Sequence, residues 1–174
     1  MMKRIISIYY VILFFTAFIL MDGCKARTAK NNVQSEFSAN DSDSVFVSLN
    51  RFPCFGMCPT YKFFLYQNGY ALYKGKMEVR RIGTYEAHFT KEQMRMFKDA
   101  AMQDRVDTLQ SEYVNLQIAD FPATYSSIVL NGKRHTFHVS TDTPPESLTH
   151  FEKTVERLLE MGDWKKISDT VKDE

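Results

Sequence analysis

Cys54 and Cys58 are the residues through which this chain could do chemistry, and they sit three residues apart in the stretch Arg51-Phe52-Pro53-Cys54-Phe55-Gly56-Met57-Cys58-Pro59-Thr60-Tyr61. Such a pair can form a structural disulfide, exchange electrons if one thiolate is stabilised, or ligate a metal together with other donors. Pro53 and Pro59 bracket it and disfavour both regular helix and a central strand. The stretch therefore reads as a tight loop. Gly56 at its centre can take positive φ, which would let the chain reverse and bring the Cβ atoms within the roughly 3.5–4.5 Å that a disulfide needs; geometry permits the bridge without demanding it.

The spacing argues against electron exchange, because thioredoxin-like motifs place two residues between the cysteines and sit in a βαβ pattern. A zinc site built from Cys54, Cys58, His135 and His138 would have the ligand count for tetrahedral coordination. Its histidines, however, lie three apart on a predicted strand, so His135 shares a face with Phe137 and Val139 while His138 points away with Arg134. No metal or other cofactor is therefore expected. A thiol-redox or metal-dependent protein using the Cys54/Cys58 loop remains the alternative.

Arg51 flanks the loop and could bind an anion or a partner's carboxylate, although pairing with a carboxylate of its own domain is the commoner outcome. Asp120, before Phe121-Pro122, is either a carboxylate in a pocket or a turn residue bonding nearby amides. No nucleophile elbow, phosphate loop or metalloprotease motif accompanies the serines, histidines and acids. The sequence thus supports a binding or structural module more than an enzyme, with Arg51, Phe55, Tyr61, Tyr66 and Asp120 as its candidate contact surface.

The elements that position this loop follow from periodicity. Val45, Val47 and Leu49 alternate with Phe46, Ser48 and Asn50 as a strand entering the loop. Tyr61, Phe63 and Leu65 then alternate with Lys62, Phe64 and Tyr66, and Asn68-Gly69 turns the chain into Tyr70 to Tyr73. Gly75 and Gly83 punctuate further short extended pieces around Val79 to Ile82 and Tyr85 to Phe89. Thr90 and Gln93 form a capping box for a helix from about Lys91 to Gln103, with Met94, Phe97 and Ala101 inward. No pattern assigns Asp104 to Ala119. A second hairpin follows, Thr124 to Leu130 and Lys133 to Val139 around Asn131-Gly132. Pro144-Pro145 opens a last helix with Leu148, Phe151, Val155 and Leu158 in one stripe and Gly162 at its end, and Trp164 is expected to close the core. The fold class is α+β, an antiparallel sheet built from two hairpin-containing halves with two helices packed on one face.

At the N-terminus, Lys3 and Arg4 precede an apolar run from Ile5 to Leu20, the layout of a secretion signal over residues 1–23, with an uncleaved signal anchor, the run extended by Met21, as the alternative. Leu20-Met21-Asp22-Gly23-Cys24 resembles the lipobox of bacterial lipoproteins, which implies lipidation of Cys24 as the mature N-terminus. Using Cys24 in this way leaves an even pair of cysteines, which an oxidising envelope would bridge, adding about 2 kcal/mol by loop-closure entropy. Residues 24–43 are polar, with Val33 and Phe37 the sizeable apolar residues, and read as a flexible tether of roughly 25 Å root-mean-square reach. A single α+β domain is expected over 44–166 and a polar tail over 167–174.

The chain has 174 residues, room for one well-buried domain. Its 22 basic residues stand against 21 acidic ones, and leaving out residues 1–23 (Lys3, Arg4, Asp22) gives 20 of each. Phosphate binding along nucleic acid needs a basic patch or stripe, which the linear sequence does not show, so no nucleic-acid partner is expected. The expected partners are a membrane, through the N-terminal lipid, and an envelope protein or ligand.

Arg51, Cys54-Phe55-Gly56, Cys58-Pro59 and Tyr61, with Gly69 and with Asp120 and Pro122, resemble an uncharacterised family, domain of unknown function 6438. The similarity covers roughly residues 44–165 and is most specific in the cysteine segment, where Met57 replaces a small residue or proline. The resemblance implies a small exported or lipid-anchored protein of the kind found in Bacteroidota, and it brings no activity, cofactor or substrate. Lys25-Ala26-Arg27 after Cys24, in place of the acidic residues common in surface-exposed lipoproteins of those bacteria, implies a periplasm-facing location.

Overall fold

The computed structural model describes residues 45–117 and 121–171. Cys24, the apolar run, the tether and Asp120 lie outside them. In chain order the elements are β1 (Val45–Arg51), β2 (Thr60–Tyr66), β3 (Tyr70–Met77), β4 (Gly83–His88), α1 (Lys91–Gln103), a 3-10 turn (Val106–Thr108), β5 (Glu112–Val114), β6 (Thr124–Leu130), β7 (Lys133–Ser140), α2 (Glu146–Leu159) and β8 (Lys165–Ser168). The strands form one eight-stranded sheet in the order β5-β7-β6-β1-β2-β3-β4-β8. The class is α+β, with every pairing antiparallel except β5 with β7.

Local sequence explains the connections. Gly69 takes φ +85°, and its N–H donates to the Tyr66 carbonyl at 3.0 Å, so the chain turns tightly between β2 and β3. Asn131 and Gly132 both take positive φ, at 51° and 77°, the twist that suits a two-residue hairpin turn between β6 and β7. Thr90 Oγ1 accepts from the Gln93 amide at 3.2 Å while the Thr90 amide donates to Gln93 Oε1 at 2.8 Å, so the capping box starts α1 as its residues predict.

Alternation along the strands places Val47 and Leu49, Phe63 and Leu65, Ala71 and Tyr73, and Ile128 and Leu130 in one core cluster. Phe97 and Ala101 of α1 and Leu148, Phe151, Val155 and Leu158 of α2 complete it. Phe63 lies at its centre, with ring centroids 6.3 Å from Phe97, 6.4 Å from Phe89 and 6.2 Å from Trp164. Truncating so enclosed a ring to Ala would cost about 3–5 kcal/mol. Trp164 also donates Nε1–H to the Leu159 carbonyl at 2.8 Å, tying the end of α2 to the core. A register shift at Phe46 turns Val45 to the other face of the sheet, where it joins Tyr66 and Leu72 in a smaller cluster.

The sequence reading departs from this architecture in three places. Gly75 lies inside β3, which runs to Met77, and 79–82 is irregular, because the pairing of β3 with β4 extends to Gly75 opposite Gly83. The unassigned stretch supplies the 3-10 turn and β5, whose parallel pairing with β7 depends on a distant strand and leaves no local period. β8 adds the strand Lys165–Ser168 against β4, although Lys165, Lys166 and Ile167 are all exposed and show no alternation of burial.

Candidate functional site

β1 and β2 both end at the cysteine loop, so the sheet itself fixes its two ends. The Phe52 amide donates to the Ala123 carbonyl at 2.9 Å, one residue beyond the end of β1. Between Phe52 and Pro59 there is no regular secondary structure, and Cys54 and Cys58 are joined in a disulfide with Cα atoms 5.8 Å apart. Gly56 takes no positive φ, so the chain closes the bridge without using that freedom. Its amide instead donates to Cys54 Sγ at 3.3 Å, and a Cβ there would meet only that sulfur, at 3.8 Å. The loop lifts Phe55 and Met57 into solvent, 92% and 85% exposed.

Beneath the loop lies a polar network that joins the sheet to α2. Arg51 Nε donates to Glu156 Oε1 at 2.7 Å, and the Tyr61 hydroxyl donates to the same oxygen at 2.7 Å. Arg51 also donates to Thr124 Oγ1 at 3.0 Å and lies 3.9 Å from Glu152 Oε2. Ser126 Oγ donates to Glu152 Oε1 at 2.8 Å. Burial opposes the Arg51 charge, but Glu156 beside it holds the guanidinium above its ordinary range. Burial, with the Glu156 charge second, pushes the Tyr61 phenol well above the usual tyrosine range. Burial also raises the Glu152 carboxyl, against the lowering effects of Ser126 and Arg51.

Next to this network, a cavity of about 350 Å³ is lined by Tyr61, Tyr73, Arg81, Arg157, Glu156 and Glu160, among others. Tyr61 and Tyr73 stack at 5.4 Å, and Arg81 makes a forked pair with Glu160 at 2.8 and 2.9 Å. The bond from Arg81 lowers the Glu160 carboxyl, while burial pushes the Tyr73 phenol up to about 12. Gly75 makes the approach of the 79–82 segment possible, since a Cβ there would collide with the Arg81 carbonyl oxygen.

The structure brings Arg51 and Tyr61 together and places Phe55 at the loop tip. Tyr66 lies at the far end of β2, buried with Val45 and Leu72. His138 stacks on Tyr125 at 4.2 Å, and Cys54 and Cys58 hold each other. Among the described residues no three His, Cys, Asp or Glu side chains group as metal ligands. The partners that sequence reasoning missed are Glu152, Glu156 and Glu160, which recur every four residues beside the apolar stripe of α2. That spacing is a readable signal that one line of the helix carries carboxylates toward a neighbour.

The Tyr61 proton is held by a carboxylate and the cysteines are bridged, so these groups brace the loop. Together they define an α+β domain with a disulfide-closed loop on a charged support. The chain belongs to the family described as domain of unknown function DUF6438, whose profile matches residues 45–159. No curated protein matches it.

Proposed function

We propose that this protein is a lipid-anchored binding module of the bacterial cell envelope, with the Cys54–Cys58 loop as its contact surface. The observation that carries the reading is the exposure of Phe55 and Met57 on a loop closed by a disulfide and braced from below by Arg51, Tyr61 and Glu156. Exposed apolar side chains on a pre-ordered segment lose little conformational freedom on binding, which suits a contact surface. Arg51 and Tyr61 serve as support for it in this reading.

The anchor rests on the lipobox-like residues ending at Cys24, with 1–23 as the signal, 24–43 as the tether and 44–166 as the domain, whose sheet reaches through β8 to Ser168 in the 167–174 segment. Lys25 and Arg27 favour the periplasmic side. For the fold we read two hairpin-containing halves meeting at β1 and β6, with both helices on one face. The shared core cluster of α1 and α2 supports this reading.

Site-specific photocrosslinking in cells tests the contact surface. A crosslinking residue at position 55 is expected to give one discrete adduct that Cys54→Ser/Cys58→Ser weakens, while the same residue at Lys133, on the distant β6–β7 hairpin, gives none. Equal patterns at 55 and 133 would overturn the reading.

A further inference from the structure

A second cleft opens between the base of the disulfide loop and the sheet. It has a volume of about 140 Å³, and its walls include Arg51, Phe52, Thr60, Lys62, Lys74 and Lys76. Four of its lining residues are cations, and none is a carboxylate. Arg51 is already committed to Glu156 and Thr124. Lys62 and Lys74 are both half-buried and stand directly opposite each other as the paired residues of β2 and β3. Neither forms an ion pair with any described residue.

Like charges directly opposite on neighbouring strands destabilise a sheet. An oxyanion between them would relieve that repulsion through charge-assisted hydrogen bonds. The volume is several times the roughly 30 Å³ of one water and well below the roughly 300 Å³ where drug-sized ligand pockets begin, so the cleft admits an anionic group more readily than a whole cofactor. Phe52 and Thr60 also line the cleft.

We propose that Lys62 and Lys74 form a binding site for a phosphate group at the base of the disulfide loop. The proposal does not depend on the loop's being a contact surface. Titration calorimetry of the full chain with inorganic phosphate, against chloride at matched ionic strength, tests it. One saturable site is expected, weakened at least tenfold in Lys62→Gln/Lys74→Gln and unchanged in Lys133→Gln. The double variant removes a repulsion, so in chloride its melting temperature is expected to equal or exceed that of the parent, which shows that it folds. In phosphate that order is expected to reverse.

Glycerophosphoglycerol, a phosphodiester, identifies the source. If it binds as inorganic phosphate does, the site takes a lipid headgroup; if only inorganic phosphate binds, the site takes a free phosphate or monoester. The absence of saturable binding by either probe would overturn the proposal, as would equal affinity in Lys62→Gln/Lys74→Gln.

Discussion

Arg51, the last residue of β1, donates to Glu156 of α2 at 2.7 Å across 105 positions of sequence, and this bond ties the root of the cysteine loop to the helix. The same carboxylate oxygen holds the Tyr61 hydroxyl. Glu156→Ala would leave both donors without their acceptor in a half-buried setting, and we expect it to cost about 1–3 kcal/mol. Tyr61→Phe, which removes one donor and keeps the ring stacked on Tyr73, should cost about 1 kcal/mol. Urea unfolding of the two variants and the parent checks the order, and a Glu156→Ala variant as stable as the parent would remove the network from the support of the loop.

The disulfide closes a five-residue loop whose remaining backbone forms no ladder. Cys54→Ser/Cys58→Ser should lower stability by about 2 kcal/mol, chiefly through a less constrained unfolded chain. Thermal unfolding with and without reductant reads the same quantity on the unmodified protein. A reductant-insensitive melting curve would contradict it.

Glycine positions separate the two sides of the site. Gly75→Ala should be among the most damaging small substitutions, because its Cβ would meet the Arg81 carbonyl, the Tyr73 ring and Val79 together. Gly56→Ala, whose Cβ would make one ordinary contact with Cys54 Sγ and which has no positive φ, is expected to shift stability by less than about 0.5 kcal/mol. Melting temperatures of the two variants provide the comparison.

Glu152 and Glu160 give stability opposite dependences on pH. Burial raises the Glu152 carboxyl above its ordinary 4.5, so the folded chain binds that proton first; folding is favoured as pH falls through this window and loses the advantage as pH rises. Arg81 lowers the Glu160 carboxyl, so its contribution is present above 4.5 and is lost as pH falls through the depressed value. Glu152→Gln keeps an oxygen for Ser126 and removes the buried charge. It should raise stability at pH 7 and flatten the profile just above pH 4.5. Denaturant unfolding from pH 4 to 8 measures this, and a loss of stability at pH 7 would show that Arg51 depends on the Glu152 charge.

Much of the fold is legible locally, because the β2–β3 and β6–β7 hairpins carry their own turn residues, α1 carries its own cap, and both helices carry an apolar stripe. Asn131-Gly132 and Thr90 with Gln93 specify their geometry without help from the rest of the chain. β5 and β8 are not legible, since both are short edge strands whose pairing is decided by β7 and β4. In the site, the cysteine spacing announces the loop and Arg51 its charged flank. The identity of the partner on α2 does not follow from Arg51 or Tyr61 alone, because helix rotation relative to the sheet selects Glu156. The Lys62–Lys74 juxtaposition emerges only once the register of β2 against β3 is fixed.

Intact and peptide mass spectrometry without reductant, on the full chain purified from a bacterial envelope fraction, tests anchor and loop in one measurement. Acylated Cys24 at the mature N-terminus together with a complete Cys54–Cys58 bridge is the predicted result. An unprocessed N-terminus with free or metal-bound thiols at Cys54 and Cys58 would contradict it and make the loop a chemical site.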